Sequence, residues 1–156
     1  MTDRLRFPAE WEPQSAVLLA WPHAGTDWAE HLADVEETYI ALITAISRFE
    51  TVVICVADDD LQIYAEARLR SARVEMKRVR FVITAYNDTW LRDSGPITLR
   101  HGTGFWLMDF RFTGWGGKFQ ASLDDQLVRS LDAAQVLVPA QVKSIDFALE
   151  GGAIET

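Results

Sequence analysis

Thr51-Val52-Val53-Ile54-Cys55-Val56 is the stretch of sequence that decides the fold of this chain. The run is continuous, apolar and rich in β-branched side chains, which is typical of a strand buried on both faces of a sheet. A similar run covers residues 15–21 and is closed by Pro22, and apolar residues at helical spacing separate the two runs. A strand, a helix and a second strand in succession predict an α/β fold.

The flanking residues predict where the other elements begin. Asp27 and Glu30 have the spacing of a capping box, so we expect the first long helix to begin at Asp27. The three aspartates at 58–60 are expected to cap a second helix. Further elements are predicted in this order: a strand over 79–83, a hairpin that turns at 101–104, a helix from Ser122 with Asp125, and strand-like runs at 136–138 and 145–149.

Length and composition limit the classes of protein. The chain has 156 residues and is 49% apolar, which is enough for one core, so residues 1–156 are expected to form a single domain without a separate second one. Fifteen Lys and Arg against 23 Asp and Glu give a net charge of −8, which argues against a nucleic-acid partner. No apolar stretch approaches the ~20 residues of a membrane helix. A single cysteine and a polar start favour a cytoplasmic location.

The segment Asn87-Asp88-Thr89-Trp90-Leu91-Arg92-Asp93-Ser94-Gly95-Pro96 contains the strongest candidates for a binding site. It follows a predicted strand, at the edge of the sheet where open α/β folds bind ligands. One interpretation is structural, with Arg92 pairing to an aspartate and bracing the loop. The other is that Asp88 and Asp93 hold a planar cation while Trp90 covers its face. Spacing alone leaves both interpretations open.

Other aromatic and glycine-rich segments are weaker candidates. Trp21, Trp90 and Trp115 come at strand ends or turns, from which a side chain can reach a cavity, whereas Trp28 and Trp106 are expected in the core. The glycines at 114–117 lack the spacing of a phosphate-binding loop. Glu150, followed by two glycines, places a carboxylate beside permissive backbone at a strand end.

The sequence offers no convincing nucleophile and no cofactor site. Cys55 lies in the middle of a predicted strand, so burial should keep it as an inert thiol. His23, His31 and His101 share no ligand spacing, so we expect no metal centre.

Four motifs, taken in order, give the chain a resemblance to a known family. They are Pro8-Ala9-Glu10-Trp11-Glu12 with Leu18-Leu19-Ala20-Trp21-Pro22-His23, the segment 87–96, Trp115-Gly116-Gly117-Lys118, and Leu149-Glu150-Gly151-Gly152-Ala153-Ile154-Glu155-Thr156. Together they resemble the N-terminal part of the agmatine deiminase and bacterial-type peptidylarginine deiminase family. That family belongs to the guanidino-group-modifying enzymes of the pentein fold.

The resemblance implies a fold and a reaction. The fold is a pseudo-symmetric, five-bladed α/β propeller of ββαβ-type modules, of which this chain would supply the first part. The reaction is hydrolysis of a guanidinium to a ureido group and ammonia, through attack by a cysteine thiolate and a covalent thiouronium. Asp93 matches the family's substrate-gripping aspartate, Asp88 and Trp90 match its neighbours, and Glu150 matches the glutamate of the Glu-Gly-Gly motif. Trp115, in the third motif, is a further candidate for substrate binding.

Part of the family pattern has no counterpart in these residues. The Asn-Gly-His motif and the Gly-Gly-Asn-Ile-His-Cys motif that carries the nucleophile are both missing, and Cys55 matches neither. We therefore expect a truncated chain, inactive alone, whose cysteine and histidine partners lie in a missing C-terminal part. The expected substrate is agmatine, giving N-carbamoylputrescine in putrescine biosynthesis, or peptidyl-arginine, giving citrulline. Exposed apolar edges of an incomplete propeller would favour homo-oligomers.

Two other functions remain open from the sequence. Asp93 and Glu150 have the chemistry of the carboxylate pair of a carbohydrate-active hydrolase, with tryptophans as sugar platforms. The chain can also be interpreted as a non-catalytic module that binds a guanidino ligand or a partner protein.

Overall fold

A computed structural model describes residues 4–137 and 139–155, and these residues form two compact units. The first, which we call the parallel unit, is Gln14–Leu91. The second, the hairpin unit, joins the described part of Met1–Pro13 to that of Arg92–Thr156. The expectation of one single domain stays a prediction.

The parallel unit is a three-stranded parallel sheet in the order β1-β2-β3. Its elements follow one another as strand, helix, strand, helix, strand, which confirms the predicted α/β class. Their bounds are β1 Ala16–Ala20, α1 Leu32–Ile46, β2 Thr51–Val56, α2 Asp59–Ser71 and β3 Val79–Ile83.

The core of the parallel unit is built on β2. Alternate side chains of this strand, Val52, Ile54 and Val56, are fully buried and belong to one cluster with residues of both helices. The cluster comprises Trp21, Ile40, Ile43, Val52, Ile54, Val56, Ala65, Leu69 and Val74. Cys55 points to the opposite face of the strand and is also fully buried, so β2 is covered on both sides, as its continuous apolar sequence predicted.

The predicted cap of α2 is confirmed by the structure, whereas the predicted start of α1 is not. The Asp58 side chain accepts a hydrogen bond from the backbone N–H of Leu61 at 2.8 Å, which confirms the predicted cap of α2. The predicted capping box at Asp27 is wrong. A 3₁₀ turn over Ala29–His31 comes first, and α1 begins at Leu32. The Asp27 amide is used elsewhere, because it donates to Oδ2 of Asp88 at 3.2 Å.

The hairpin unit has a second three-stranded sheet, in the order β4-β5-β6. Its strands are β4 Ile97–His101, β5 Gly104–Arg111 and β6 Ala140–Ala148, and its helical segments are α3 Leu91–Ser94, α4 Gly114–Gly117 and α5 Leu127–Ala133. The β4–β5 pair is antiparallel around the predicted turn, and β6 runs parallel to β5. α3 begins at the last residue assigned to the parallel unit.

The start of α5 departs from the prediction. The helix is preceded by a 3₁₀ turn over Asp124–Gln126 rather than beginning at Ser122. Asp125 lies in this turn, and its Oδ1 accepts the backbone N–H of Phe112 at 2.7 Å. Asp125 therefore makes a contact distant in sequence with one oxygen, while its Oδ2 accepts a hydrogen bond from Arg129 of α5.

The last strand is longer than its apolar run. β6 begins at Ala140, whereas the prediction placed the run at 145–149. Val136 and Leu137 lie outside any strand, and Val138 of the predicted 136–138 run lies outside the described residues. Pairing between β5 and β6 is shifted after Phe110, since Phe110 is opposite Ile145 but Arg111 is opposite Ala148. Two residues of β6 are thus looped out at this bulge.

The described helices include none that is both long enough and apolar enough to span a lipid bilayer.

Burial in α1 gives a test of the parallel unit's core. Ile43 is fully buried, whereas its neighbour Leu42 is 41% exposed. Replacing Ile43 by Ala should lower the free energy of unfolding by about 2–5 kcal/mol, because it removes packed methyl groups and leaves a cavity. Leu42→Ala, the matched control, should change it by about 0.5 kcal/mol or less. Equal losses in urea denaturation would contradict this arrangement of the core.

Candidate functional site

The residues predicted to form the site are distributed over the two units. Asp88 and Trp90 belong to the parallel unit, whereas Asp93, Trp115 and Glu150 belong to the hairpin unit.

Asp93 lies on α3 and is held by two hydrogen-bond donors. The indole Nε1–H of Trp115 donates to Oδ2 at 3.0 Å, and the backbone N–H of Gly152 donates to Oδ1 at 2.8 Å. The two donors come from segments 22 and 59 residues away in the chain. Because each carboxylate oxygen has two lone pairs, each oxygen of Asp93 keeps one for a further donor. The side chain is partly buried.

The Glu-Gly-Gly motif owes its glycines to close packing against α3. A Cβ at Gly151 would lie 2.2 Å from the carbonyl oxygen of Arg92, and one at Gly152 would lie 2.5 Å from Oδ1 of Asp93. A side chain at Gly151 would collide with fixed backbone, and one at Gly152 would force the Asp93 carboxylate to move. The missing side chains let the motif approach α3 closely enough for the Gly152 amide to donate to Asp93.

The loop that carries Trp115 has an unusual backbone. Trp115 has φ 57° and ψ 52°, in the left-handed region, where a side chain costs roughly 1–2 kcal/mol. Gly116 and Gly117 follow with φ of 79° and 82°, and the Thr113 side chain accepts the Gly116 amide at 3.1 Å. A non-glycine residue in this region must be held by its surroundings, and such residues cluster at functional sites.

Aromatic rings enclose the Trp115 side chain on two sides. The Phe112 ring meets the indole edge-on with centroids 5.1 Å apart, and the Phe119 ring does so at 5.6 Å. The indole itself is 36% exposed. These contacts fix the direction in which Nε1–H points at Asp93.

In the parallel unit, Asp88 and Trp90 have a second set of partners. The Asp88 carboxylate accepts hydrogen bonds from the backbone N–H of Thr89 at 2.7 Å and from that of Asp27 at 3.2 Å. Burial raises the pKa of Asp88 above its usual value. Trp90 is 41% exposed, and the centroid of its ring lies 5.4 Å from the centroid of the Trp28 ring. The indole of Trp28 also donates to Oγ1 of Thr89 at 2.8 Å. This segment is therefore braced by the residues that precede α1.

Trp28 is the residue that sequence reasoning missed. It was expected in the core, but it pairs with an exposed tryptophan of the candidate site. Its position before a helix carries no signal of this role, because its hydrogen-bond partner Thr89 lies 61 residues away.

Glu150 and Arg92 complete the predicted set. The Glu150 side chain is partly exposed and makes no hydrogen bond or ion pair with residues 4–137 or 139–155. Arg92 donates to the carbonyl of Ile154 at 3.3 Å, which ties α3 to the same C-terminal segment that carries Gly152. Glu150 therefore leaves the strand close in sequence to the donor that holds Asp93.

Two further expectations about tryptophans are wrong. Trp21 is fully buried in the core of the parallel unit, so it does not reach a surface cavity. Trp106 is not simply a core residue, because its partly exposed ring stacks on His101 at 4.4 Å and lies under the Lys143 ammonium at 5.0 Å. Position relative to a strand end did not distinguish these cases.

Cys55 has the properties of a structural thiol. It is fully buried, and burial raises its pKa to about 12. A thiol of this kind is a poor nucleophile at neutral pH. Across residues 4–137 and 139–155, no three His, Cys, Asp or Glu side chains are grouped in a way that could hold a metal ion.

Comparison with known proteins identifies relatives of this chain. An agmatine deiminase of Pseudomonas aeruginosa strain LESB58 is 33% identical over 97% of this chain and 41% of its own length. A solved C. jejuni agmatine deiminase with substrate bound is 28% identical, with a TM-score of 0.86 over 98% of this chain and 43% of that one. A solved Enterococcus faecalis agmatine deiminase is 25% identical, with a TM-score of 0.82 over 97% and 41%.

These relatives place the chain among the deiminases of guanidino groups. The Porphyromonas-type peptidyl-arginine deiminase model matches residues 6–156, and the chain belongs to that family. It spans about two fifths of the length of the curated relatives that it matches.

The packing of Gly152 leads to a test of the Asp93 site. Gly152→Ala should lower the free energy of unfolding by about 1–3 kcal/mol, because the new methyl group collides with the Asp93 carboxylate. Gly104→Ala is the matched control in the same unit, since its Cβ would meet only the His101 carbonyl, at 3.8 Å. Thermal and urea unfolding of both variants measure the difference. A Gly152→Ala variant as stable as Gly104→Ala would show that the contact is loose.

The buried thiol gives a chemical test. Ellman's reagent at pH 8 should leave Cys55 unmodified in the folded chain and modify it fully after denaturation, because the thiolate is disfavoured and the sulfur is inaccessible. Absorbance at saturating reagent measures both states. Rapid modification of the folded chain would contradict the inert role and reopen Cys55 as a nucleophile.

Proposed function

We propose that this chain supplies the guanidinium-holding carboxylates of a deiminase that hydrolyses a guanidino group to a ureido group and ammonia. The observation that carries the proposal is the Asp93 carboxylate, oriented by the Trp115 indole at one oxygen and the Gly152 amide at the other. Each of these hydrogen bonds uses one lone pair, so each carboxylate oxygen can still accept a hydrogen bond from a substrate.

A guanidinium fits such a carboxylate better than other cations do. Its planar array of N–H donors can bind both oxygens of one carboxylate at once, which fixes orientation as well as position. Trp90, which is 41% exposed, is proposed to cover the face of the cation, a contact worth roughly 0.5–2 kcal/mol depending on desolvation. Glu150, Asp88 and Trp115 are proposed to complete the substrate-binding set.

Holding the cation is one half of the chemistry. A guanidinium is resonance-stabilised, so its carbon reacts only when it is fixed beside an activated nucleophile. We propose that a cysteine thiolate attacks this carbon and expels ammonia, and that water then releases the ureido product from the covalent thiouronium. Cys55 is unsuited to this role, and the nucleophile and the histidine that shuttles protons are proposed to lie outside these 156 residues. The chain alone is proposed to be inactive.

Agmatine and peptidyl-arginine are the two proposed substrates. The curated relatives are named agmatine deiminases, which supports agmatine, whereas the family description names peptidyl-arginine deiminase. Both substrates present the same guanidinium to Asp93. They differ at the other end, which is an amine in one case and a polypeptide in the other.

The proposal extends to architecture and location. The hairpin unit has the strand–strand–helix–strand order of a pentein module, which supports a propeller for the complete protein. The absence of any cysteine besides Cys55 supports a cytoplasmic location. Self-association through exposed apolar side chains such as Phe49 and Phe147 is also proposed.

Two alternatives are less well supported. A glycosidase would need Asp93 and Glu150 as an acid and base pair, but the chain belongs to a deiminase family. A non-catalytic module that binds guanidino ligands would use the same carboxylate. It differs from the main proposal only in what the complete protein does after binding.

Substitution of Asp93 tests the proposed site. Asp93→Asn should weaken agmatine binding by roughly 10- to 100-fold, because a charged hydrogen-bond acceptor contributes roughly 1.5–3 kcal/mol. Isothermal titration calorimetry of the 156-residue chain with agmatine measures the loss. Asp146→Asn, at a side chain 92% exposed in the same unit, is the matched control and should bind like the unsubstituted chain.

Two outcomes would count against the guanidinium site. One is equal affinity of the Asp93 and Asp146 variants for agmatine. The other is binding of cellobiose but not agmatine by the unsubstituted chain, which would favour the carbohydrate alternative.

A further inference from the structure

The hairpin unit contains a buried carboxylate that the proposed reaction does not use. Asp109 lies on the central strand β5 and is 1% exposed. Its Oδ2 accepts hydrogen bonds from Nη1 of Arg129 at 3.0 Å and from Oγ of Ser144 at 2.8 Å. A buried carboxylate needs such partners, and replacing a buried ion pair by apolar residues of similar size is often neutral or stabilising. Stability alone therefore does not explain an aspartate at this position.

Arg129 carries the contact from the sheet to the start of α5. Its second nitrogen, Nη2, donates to the Asp125 carbonyl at 2.6 Å and to Oδ2 of Asp125 at 3.2 Å. The two ends of one planar guanidinium thus hold a buried strand residue and a helix residue in fixed relation. Lysine has a single nitrogen and lacks this fork.

Asp125 carries the contact onward to the loop of Trp115. Its other oxygen, Oδ1, accepts the backbone N–H of Phe112 at 2.7 Å. Phe112 is the first residue after β5 and is 5% exposed, and its ring packs edge-on against the indole of Trp115. A continuous set of contacts therefore runs from Asp109 through Arg129 and Asp125 to the base of this loop.

We propose that Asp109, Arg129 and Asp125 are positioning residues that hold the Trp115 indole against the Asp93 carboxylate. The loop needs an external restraint, because Trp115 occupies a left-handed backbone conformation that its own sequence disfavours. The network supplies that restraint at Phe112, three residues before the indole. Its consequence for substrate binding rests on the proposed function of Asp93, whereas the restraint itself does not.

The experiment follows the Trp115 indole N–H in the ¹⁵N-labelled 156-residue chain. Its resonance is assigned with Trp115→Phe, and Asp93→Ala gives the signal of an indole without its acceptor. Asp125→Ala cuts the link between Arg129 and Phe112. The double variant Asp109→Asn with Arg129→Met removes both members of the ion pair together, so that neither is left unpaired. Asp146→Asn removes the exposed Arg111–Asp146 ion pair of the same sheet and is the control.

In Asp125→Ala and in the double variant, the indole signal should move toward that of Asp93→Ala. Exchange of its proton with solvent should become roughly tenfold faster, and agmatine affinity should fall roughly tenfold because the carboxylate loses its orientation. Asp146→Asn should match the unsubstituted chain in all three measurements. The urea midpoints of the same variants separate the loss of position from a general loss of stability.

An indole signal and exchange rate unchanged in Asp125→Ala would overturn the proposal, whatever happens to the urea midpoint. The Asp125 variant decides the matter even if the double variant fails to fold, since Asp125 is 29% exposed. If the unsubstituted chain binds no agmatine, the proposed function of Asp93 fails, while the indole measurements still test the network.

Discussion

The hydrogen bond between the Gly152 amide and the Asp93 carboxylate is the constraint on which the candidate site depends. It joins two segments 59 residues apart, and it requires the backbone of the Glu-Gly-Gly motif to press against α3. The second donor, the Trp115 indole, arrives on a third segment whose backbone is strained. A carboxylate fixed in this way has its remaining lone pairs set before any ligand arrives, which is the kind of preorganisation that binding sites need.

Most of the parallel unit could be predicted because its signals are local. The buried strand Thr51–Val56, the cap at Asp58 and the strand Val79–Ile83 were all placed correctly, since each depends on the pattern of neighbouring residues. The capping box at Asp27 failed for the opposite reason. Asp88, 61 residues away, takes the Asp27 amide, and no local pattern reports such a competitor. The same applies to Asp125, whose Oδ1 accepts the backbone N–H of Phe112, a residue 13 positions away.

The candidate site was predicted unevenly. Asp93 and Trp115 were both proposed from sequence, but their direct contact was not, because nothing in the spacing of residues 22 positions apart indicates that one donates to the other. The role of Trp28 beside Trp90 and the burial of Trp21 were missed because a tryptophan near a strand end or helix start fits either a core or a surface position. The family resemblance supplied roles for single residues, whereas the geometry that links them required coordinates.

The bulge in β6 has a consequence for how this protein can change in length. Two residues, Asp146 and Phe147, are looped out between Ile145 and Ala148, which leaves the alternation of inward and outward side chains in step on either side. Adding or removing one residue here would turn the strand residues on one side of the bulge to the opposite face of the sheet. Natural insertions and deletions at this point of the strand should therefore come in even numbers.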